Sequence, residues 1–424
     1  MPGVPPQRLV RIFGHNERAN LVELPDPTLV TELPDEVSHL FTKPMSWPTD
    51  RTEQELFASE DDDMTDRLGR SGRQARSRIL GNRNLGRLPE RREDSMRILT
   101  CSSRVCLLAG MTISLLSSGC AINMKVPIKD PAPSTAQYVK PAALTPVALS
   151  FTDARTPENK EKPVTGRIPM QLTSPDGKPF DPFPWVADNT VKELIARGLP
   201  VQMAKDGSGP NTVVIKLIQI ENRRVSGFSP FETFTSLKAD VVTGKGTQRV
   251  AVFIKRGKVP VMSWDEVIGP TYNDPLDLVA KELAAKLNQI LFNAKLSDQQ
   301  VDALIAKTNA QPVNYRDVHE LGFSNNPRAI PQLVKLTASE DDEVRQAAYS
   351  ALGVLRASDQ FDLLVKEAEN TKDDWEDRAT ALKAIGDLGT PKSREYLEKE
   401  RGRVAKLTDA ESVRTNGLIS LYLD

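Results

Sequence analysis

Asp341–Leu355 reads DDEVRQAAYSALGVL, and the pattern returns 33 residues later as DWEDRATALKAIGDL over Asp374–Leu388. Arg345 aligns with Arg378, Ala348 with Ala381, Ala351 with Ala384, Leu352 with Ile385, Gly353 with Gly386 and Leu355 with Leu388. An imperfect third copy, ESVRTNGLISLYL, covers Glu411–Leu423, and a weaker half-unit, NPRAIPQLVKLT, covers Asn326–Thr337. Self-similarity at this period marks a unit that buries its apolar face against copies of itself, so the pattern predicts an all-α solenoid. Val344, Ala347, Ala348, Ala351, Leu352 and Leu355 fall on one helical face. The alanines allow close helix approach, and the acidic residues opening each copy suit the positive end of a helix. A second helix follows each copy, anchored by Phe361, Leu364 and Val365 or by Tyr396 and Leu397.

The pattern over residues 312–424 resembles HEAT repeats, specifically the short HEAT-like type also found in phycobilisome lyases. Arg345 and Arg378 match the arginine that this type carries early in its first helix. The resemblance implies a protein-binding scaffold and does not imply lyase chemistry. On this basis Arg345, Arg378 and Trp375 are the candidate partner-binding residues, and the other charges are read as solvated surface. Ser297 and Asp298 open a helical joint over residues 297–311.

Residues 147–296 carry the alternation of a smaller α+β domain. Val147–Phe151 and Thr212–Ile220 are predicted strands. Phe234–Val242 and Gln248–Gly257 form a predicted hairpin across Thr243–Gly246, and Val261–Ile268 is a further predicted strand. One helix is expected from Asp188 or Asn189 to Arg197, with Gly198 as its stop. Another opens at Asp274 with Pro275 in its first turn. The order suggests an antiparallel sheet with both helices on one face. With LSFTDAR over Leu149–Arg155 and the closing helix, it resembles the YajG-like and transport-auxiliary lipoproteins. That resemblance implies an envelope location and no assigned chemistry. Asp153 and Arg155 read best as a strand-end pair closing a loop. PDGKPFDPFPW over Pro175–Trp185 has loop composition, and ENRRVSGFSPF over Glu221–Phe231 reads as a hairpin connection.

Upstream, Arg97 and Arg104 precede the apolar run VCLLAGMTISLL (Val105–Leu116), then Ser117, Ser118, Gly119 and Cys120. The run has signal-peptide length and is too short to span a bilayer. The stretch resembles a lipobox of the type II signal-peptide class, with Ser117 where leucine is usual. It implies cleavage after residue 119 and lipidation of Cys120. Residues 96–119 are therefore the expected signal peptide and Met96 the expected start. Residues 1–95, lacking sustained periodicity and rich in arginine near their end, are expected to be disordered sequence upstream of the true start, the alternative being a genuine disordered, cationic cytosolic tail. Residues 120–146 hold scattered prolines and are expected to be an extended tether.

The formal net charge of −1 favours neither nucleic acid nor an anionic surface. Cys101, Cys106 and Cys120 are the only cysteines, and after cleavage His319 would be the only histidine. Triads and His- or Cys-built metal sites are thereby disfavoured, and no cofactor is expected. Asp265 and Glu266, read as neighbours in a strand, point to opposite faces and cannot act together. The combined expectation is a non-catalytic, lipid-anchored adaptor on the periplasmic face of the outer membrane, joined to an envelope protein partner. The alternative is an accessory substrate- or lipid-binding lipoprotein of a transporter. The repeats are expected to be separable, so that deletion of residues 312–424 would leave a folded protein.

Overall fold

The computed structural model describes residues 9–13, 19–23, 124–139, 145–204, 209–226, 229–260 and 263–424. Residues 96–119 and Cys120 lie outside them. The chain divides into two units, residues 1–101 and 102–424. In the first, β1 (Leu9–Phe13) pairs antiparallel with β2 (Ala19–Glu23), Leu9 opposite Glu23. LVRIF and ANLVE are rich in the residues that favour strands.

The second unit is built on a mixed sheet in the order β10-β9-β8-β4-β7, with β5 also pairing β8. Its strands are β4 (Val147–Asp153), β5 (Val164–Gly166), β7 (Val201–Met203), β8 (Asn211–Arg223), β9 (Phe231–Thr243) and β10 (Gly246–Lys258). The short helix α1 (Pro157–Glu161) lies between β4 and β5. The three long strands are antiparallel, as the alternation predicts. β4 pairs in parallel with β7 and β8, because the chain between β4 and β7 crosses over through α2 (Pro182–Ala196).

Helix α2 starts earlier than expected. Asp181 caps it, accepting from the Phe183 N–H at 2.9 Å, and Pro182 fills its first turn. The last four residues of the expected loop, Pro182–Trp185, are therefore helical, and Trp185 is buried. Gly198, at φ +82°, follows its end. The expected strand at Val261–Ile268 is also corrected. Asp265–Ile268 forms the helical turn α3, which runs through a π turn at Gly269–Asn273 into α4 (Asp274–Leu291). Acidic side chains at Asp265 and Glu266 suit a helix start. α4 packs on β9 and β10, and α2 on α4 and β8.

The proline-rich stretch is extended, but it is fastened to the body rather than free. β3 (Met124–Pro127) pairs in parallel with β6 (Met170–Thr173). Further along, the buried Tyr138 donates its hydroxyl to the Phe323 carbonyl at 2.7 Å, and the Val139 N–H donates to the Lys295 carbonyl at 2.8 Å.

The C-terminal region is a helical repeat with two rows. One row holds α6 (Tyr315–Phe323), α8 (Asp342–Val354), α10 (Trp375–Leu388) and α12 (Ala410–Leu423). The other holds α5 (Asp298–Thr308), α7 (Ile330–Leu336), α9 (Phe361–Ala368) and α11 (Pro391–Val404). The half-unit of the sequence is thus the second helix of the α6–α7 unit. Within the first row, glycine sets the spacing. A Cβ on Gly353 would lie 2.5 Å from the Cα of Ala384, and one on Gly322 would lie 2.7 Å from the Cβ of Ala351. At Gly322 and Gly353 consecutive backbones therefore come into close contact. The first row also packs against α4, β9 and β10, so sheet and repeats share one continuous core.

Candidate interaction surfaces

The repeat arginines turn toward the next repeat. Arg345 pairs with Asp377 at 2.6 Å and Asp342 at 2.7 Å, and Arg378 pairs with Glu411 at 2.7 Å. Each thereby ties one helix of the first row to the start of the next. This accounts for the recurrence of arginine at the repeat spacing without a partner. Both side chains are 19% exposed, so neither offers a free guanidinium.

Trp375 is interior. Its ring meets Phe234 edge-on at 5.4 Å and Phe253 at 6.4 Å, and its indole N–H donates to Thr415 at 3.0 Å. Phe234 and Phe253 project from the sheet face opposite α4, so the tryptophan joins sheet to solenoid. It is 5% exposed and cannot serve as a partner-facing anchor in this conformation. The signal for this second covered face was VAVFI at Val250–Ile254, all buried. A continuous apolar run marks a strand covered on both sides.

Charges line the same seam. Arg223 pairs with Glu376 at 2.6 Å, Arg256 with Glu343 at 2.7 Å and Arg197 with Glu320 at 2.9 Å. At its centre Lys383 pairs with Glu282 at 2.7 Å and Asp387 at 2.9 Å, while Lys286 pairs with the same two carboxylates at 2.7 and 2.6 Å. Burial works to raise the Asp387 carboxyl, but Lys286 and Lys383 hold it below its ordinary range. These groups neutralise one another and are locked by packing. They form a structural clasp.

The other sequence candidates fall at separate places. Arg155 is buried and binds Asp153 at 2.9 Å and Asp181 at 2.8 Å, closing the end of β4 onto the cap of α2. Asp265 and Glu266 are adjacent on a helical turn, where neighbours do not face each other. His319 is buried and neutral, its pKa brought down to about 3 by burial and then by Lys383, Arg256 and Arg316. Among the described residues no group of three or more His, Cys, Asp or Glu could hold a metal ion. None of the described helices is long and apolar enough to cross a membrane. Open clefts remain on the surface. One of ≈ 580 Å³ lies between β5, β6 and Phe180, and one of ≈ 490 Å³ lies between β10, α4 and the last repeats.

The family model for HEAT repeats matches residues 301–375. No curated protein matches the chain. Among solved structures, a Xanthomonas campestris protein of the DUF330 family model is similar at 11% identity and a TM-score of 0.26, over 38% of this chain and 91% of its own. A second, described only as an uncharacterized protein, is similar at 12% identity and a TM-score of 0.22, over 37% of this chain and 97% of its own. Residues 301–375 thus match HEAT repeats within a longer run of helical repeats packed on the mixed sheet, and such repeats suggest a protein-interaction scaffold.

Proposed function

We propose that the protein is a lipid-anchored, non-catalytic adaptor on the periplasmic face of the outer membrane, binding an envelope protein partner through its HEAT repeats. The observation that carries the binding part is the disposition of the two helical rows. The first row is taken up by the protein's own sheet, whereas the second, α5, α7, α9 and α11, carries exposed charges along its length. Partner binding therefore falls to the second row and to the clefts at its margin, not to Trp375 and the repeat arginines. The anchor part rests on the lipobox-like residues ending at Cys120 and on Ala121 after it, where an aspartate would favour retention at the inner membrane. Acyl chains on Cys120 would supply the membrane affinity. Cys120→Ala should leave the outer-membrane fraction, and native protein should carry a lipid mass on a cysteine N-terminus. Unchanged fractionation of the variant refutes the anchor. Absence of any protein crosslinked to the repeats in cells refutes the adaptor.

A further inference from the structure

Three consecutive helices of the first row are followed by a residue in the left-handed region: Asn325 at φ 50°, Arg356 at φ 53° and Gly389 at φ 64°. Glycine and asparagine take this conformation readily, whereas arginine strains there. Arg356 places its exposed side chain at the junction of two adjoining open cavities, of ≈ 490 and ≈ 520 Å³. Gln289 lines both as well. The first cavity adds Arg249, Lys286 and Arg394, and the second adds Lys245 from the β9–β10 turn. Asp387 is the one acidic residue lining either, and Lys286 and Lys383 already neutralise it. Arg249 is held by Asp240 and Arg394 by Glu398. No carboxylate pairs with Arg356 or Lys245 among the described residues. Val354, Leu355, Leu397 and Ile290 add apolar wall. The chain as a whole carries a net charge of −1, so this positive groove is a local feature.

We propose that the groove receives an acidic, partly aliphatic peptide segment of the protein partner, with its carboxylates on Arg356 and Lys245. The inference rests on the adaptor reading and names its contact surface. Two adjoining open cavities suit an extended chain with alternating side chains, and neither encloses an acyl tail.

The test uses the full chain and a labelled peptide alternating Glu and Leu, read by fluorescence anisotropy. A Lys/Leu peptide and anionic vesicles are the comparison probes. Binding of the acidic peptide should weaken as salt is raised from about 0.05 M to about 0.3 M. Arg356→Gly is the informative variant, because glycine relieves the backbone. Its melting temperature should hold or rise, while affinity falls about tenfold with loss of a charge-assisted contact. Arg356→Lys should retain most of the binding. Wild-type affinity in Arg356→Gly overturns the proposal, as does binding of vesicles without binding of the acidic peptide. Should partners still crosslink to Arg356→Gly in cells, the groove assignment falls and the adaptor reading stands. Should no partner crosslink to the wild type, the adaptor reading itself falls.

Discussion

Gly353→Ala and Gly402→Ala are the same chemical change in two helices, and the structure assigns them opposite signs. In an unobstructed helix the added methyl stabilises by about 1 kcal/mol, since glycine has the larger backbone entropy to lose. Gly402 in α11 meets that condition, with nothing within 4 Å of an added Cβ. At Gly353 the Cβ would come within 2.5 Å of the Ala384 Cα, 2.9 Å of its Cβ and 3.0 Å of its carbonyl oxygen. Carbon atoms in contact sit about 3.5–4.0 Å apart, so α8 and α10 must separate by about 1 Å. These are mostly backbone atoms, and no rotamer change relieves them. Overpacking of this kind costs up to about 3 kcal/mol, and separation forfeits dispersion along the whole helix contact. Subtracting the propensity gain leaves a net loss of about 2 kcal/mol. Gly322→Ala, against Ala351, should behave alike. Gly386→Ala should cost less, because it meets the ring of Tyr422, a side chain that can shift. Urea titration of each purified variant gives the midpoint and slope, and a shifted midpoint at constant slope reports stability. If Gly353→Ala is as stable as Gly402→Ala, close backbone contact does not set the repeat spacing and the reasoning is wrong.

Two further outcomes follow from the seam. His319 has a folded pKa of about 3, below its unfolded value of about 6.5, so its contribution is fully present above pH 6.5 and is lost as pH falls. Relative to His319→Phe, the wild type should lose about 1.4 kcal/mol per pH unit between pH 6 and pH 4, and a pH-independent difference in urea midpoint would show that folding does not lower the imidazole's pKa. Deleting residues 312–424 should yield a chain that binds a hydrophobic dye and lacks a cooperative melt, since Phe234 and Phe253 lose Trp375 and the buried Arg197 loses Glu320; a sharp melt would restore the separable-module view.

The repeat was legible because its physical causes recur at the repeat spacing. Glycine recurs where the next helix comes closest, against backbone at Gly322 and Gly353 and against the Tyr422 ring at Gly386, and arginine recurs where one repeat binds the next. The purpose of those arginines was not legible, since an ion pair to a residue 32 positions away (Arg345 to Asp377) has the same local sequence as a free surface charge. The long antiparallel strands and the Asp274 helix were plain from alternation and from Asp-Pro. The same Asp-Pro signal at Asp181-Pro182 marks the start of α2, but the surrounding Gly, Pro and Lys gave it the look of a loop. Parallel pairing of β4 depends on a crossover, which no local pattern encodes. The packing of the proline-rich stretch depends on Tyr138 finding Phe323, a contact across 185 residues.

The seam bears on how a partner could be held. Burying Glu282, Lys286, Lys383 and Asp387 costs several kcal/mol per ion in desolvation, which their mutual attraction offsets only at short distance. The sheet and the solenoid therefore fit in one register, with Trp375 packed edge-on against the stacked Phe234 and Phe253 and the charge pairs aligned. A slide by one helical turn would strand buried charge. Such a joint transmits orientation rather than flexing. β3 begins four residues after Cys120, a span of at most about 14 Å when extended. With the following chain strapped to Asn273, Phe323 and Lys295, an acyl group on Cys120 would hold the body against its membrane on a short lead. The second helical row and the basic groove would then be presented at a fixed height and angle. On the proposed adaptor reading, a partner reached in this way would be selected by position as well as by charge.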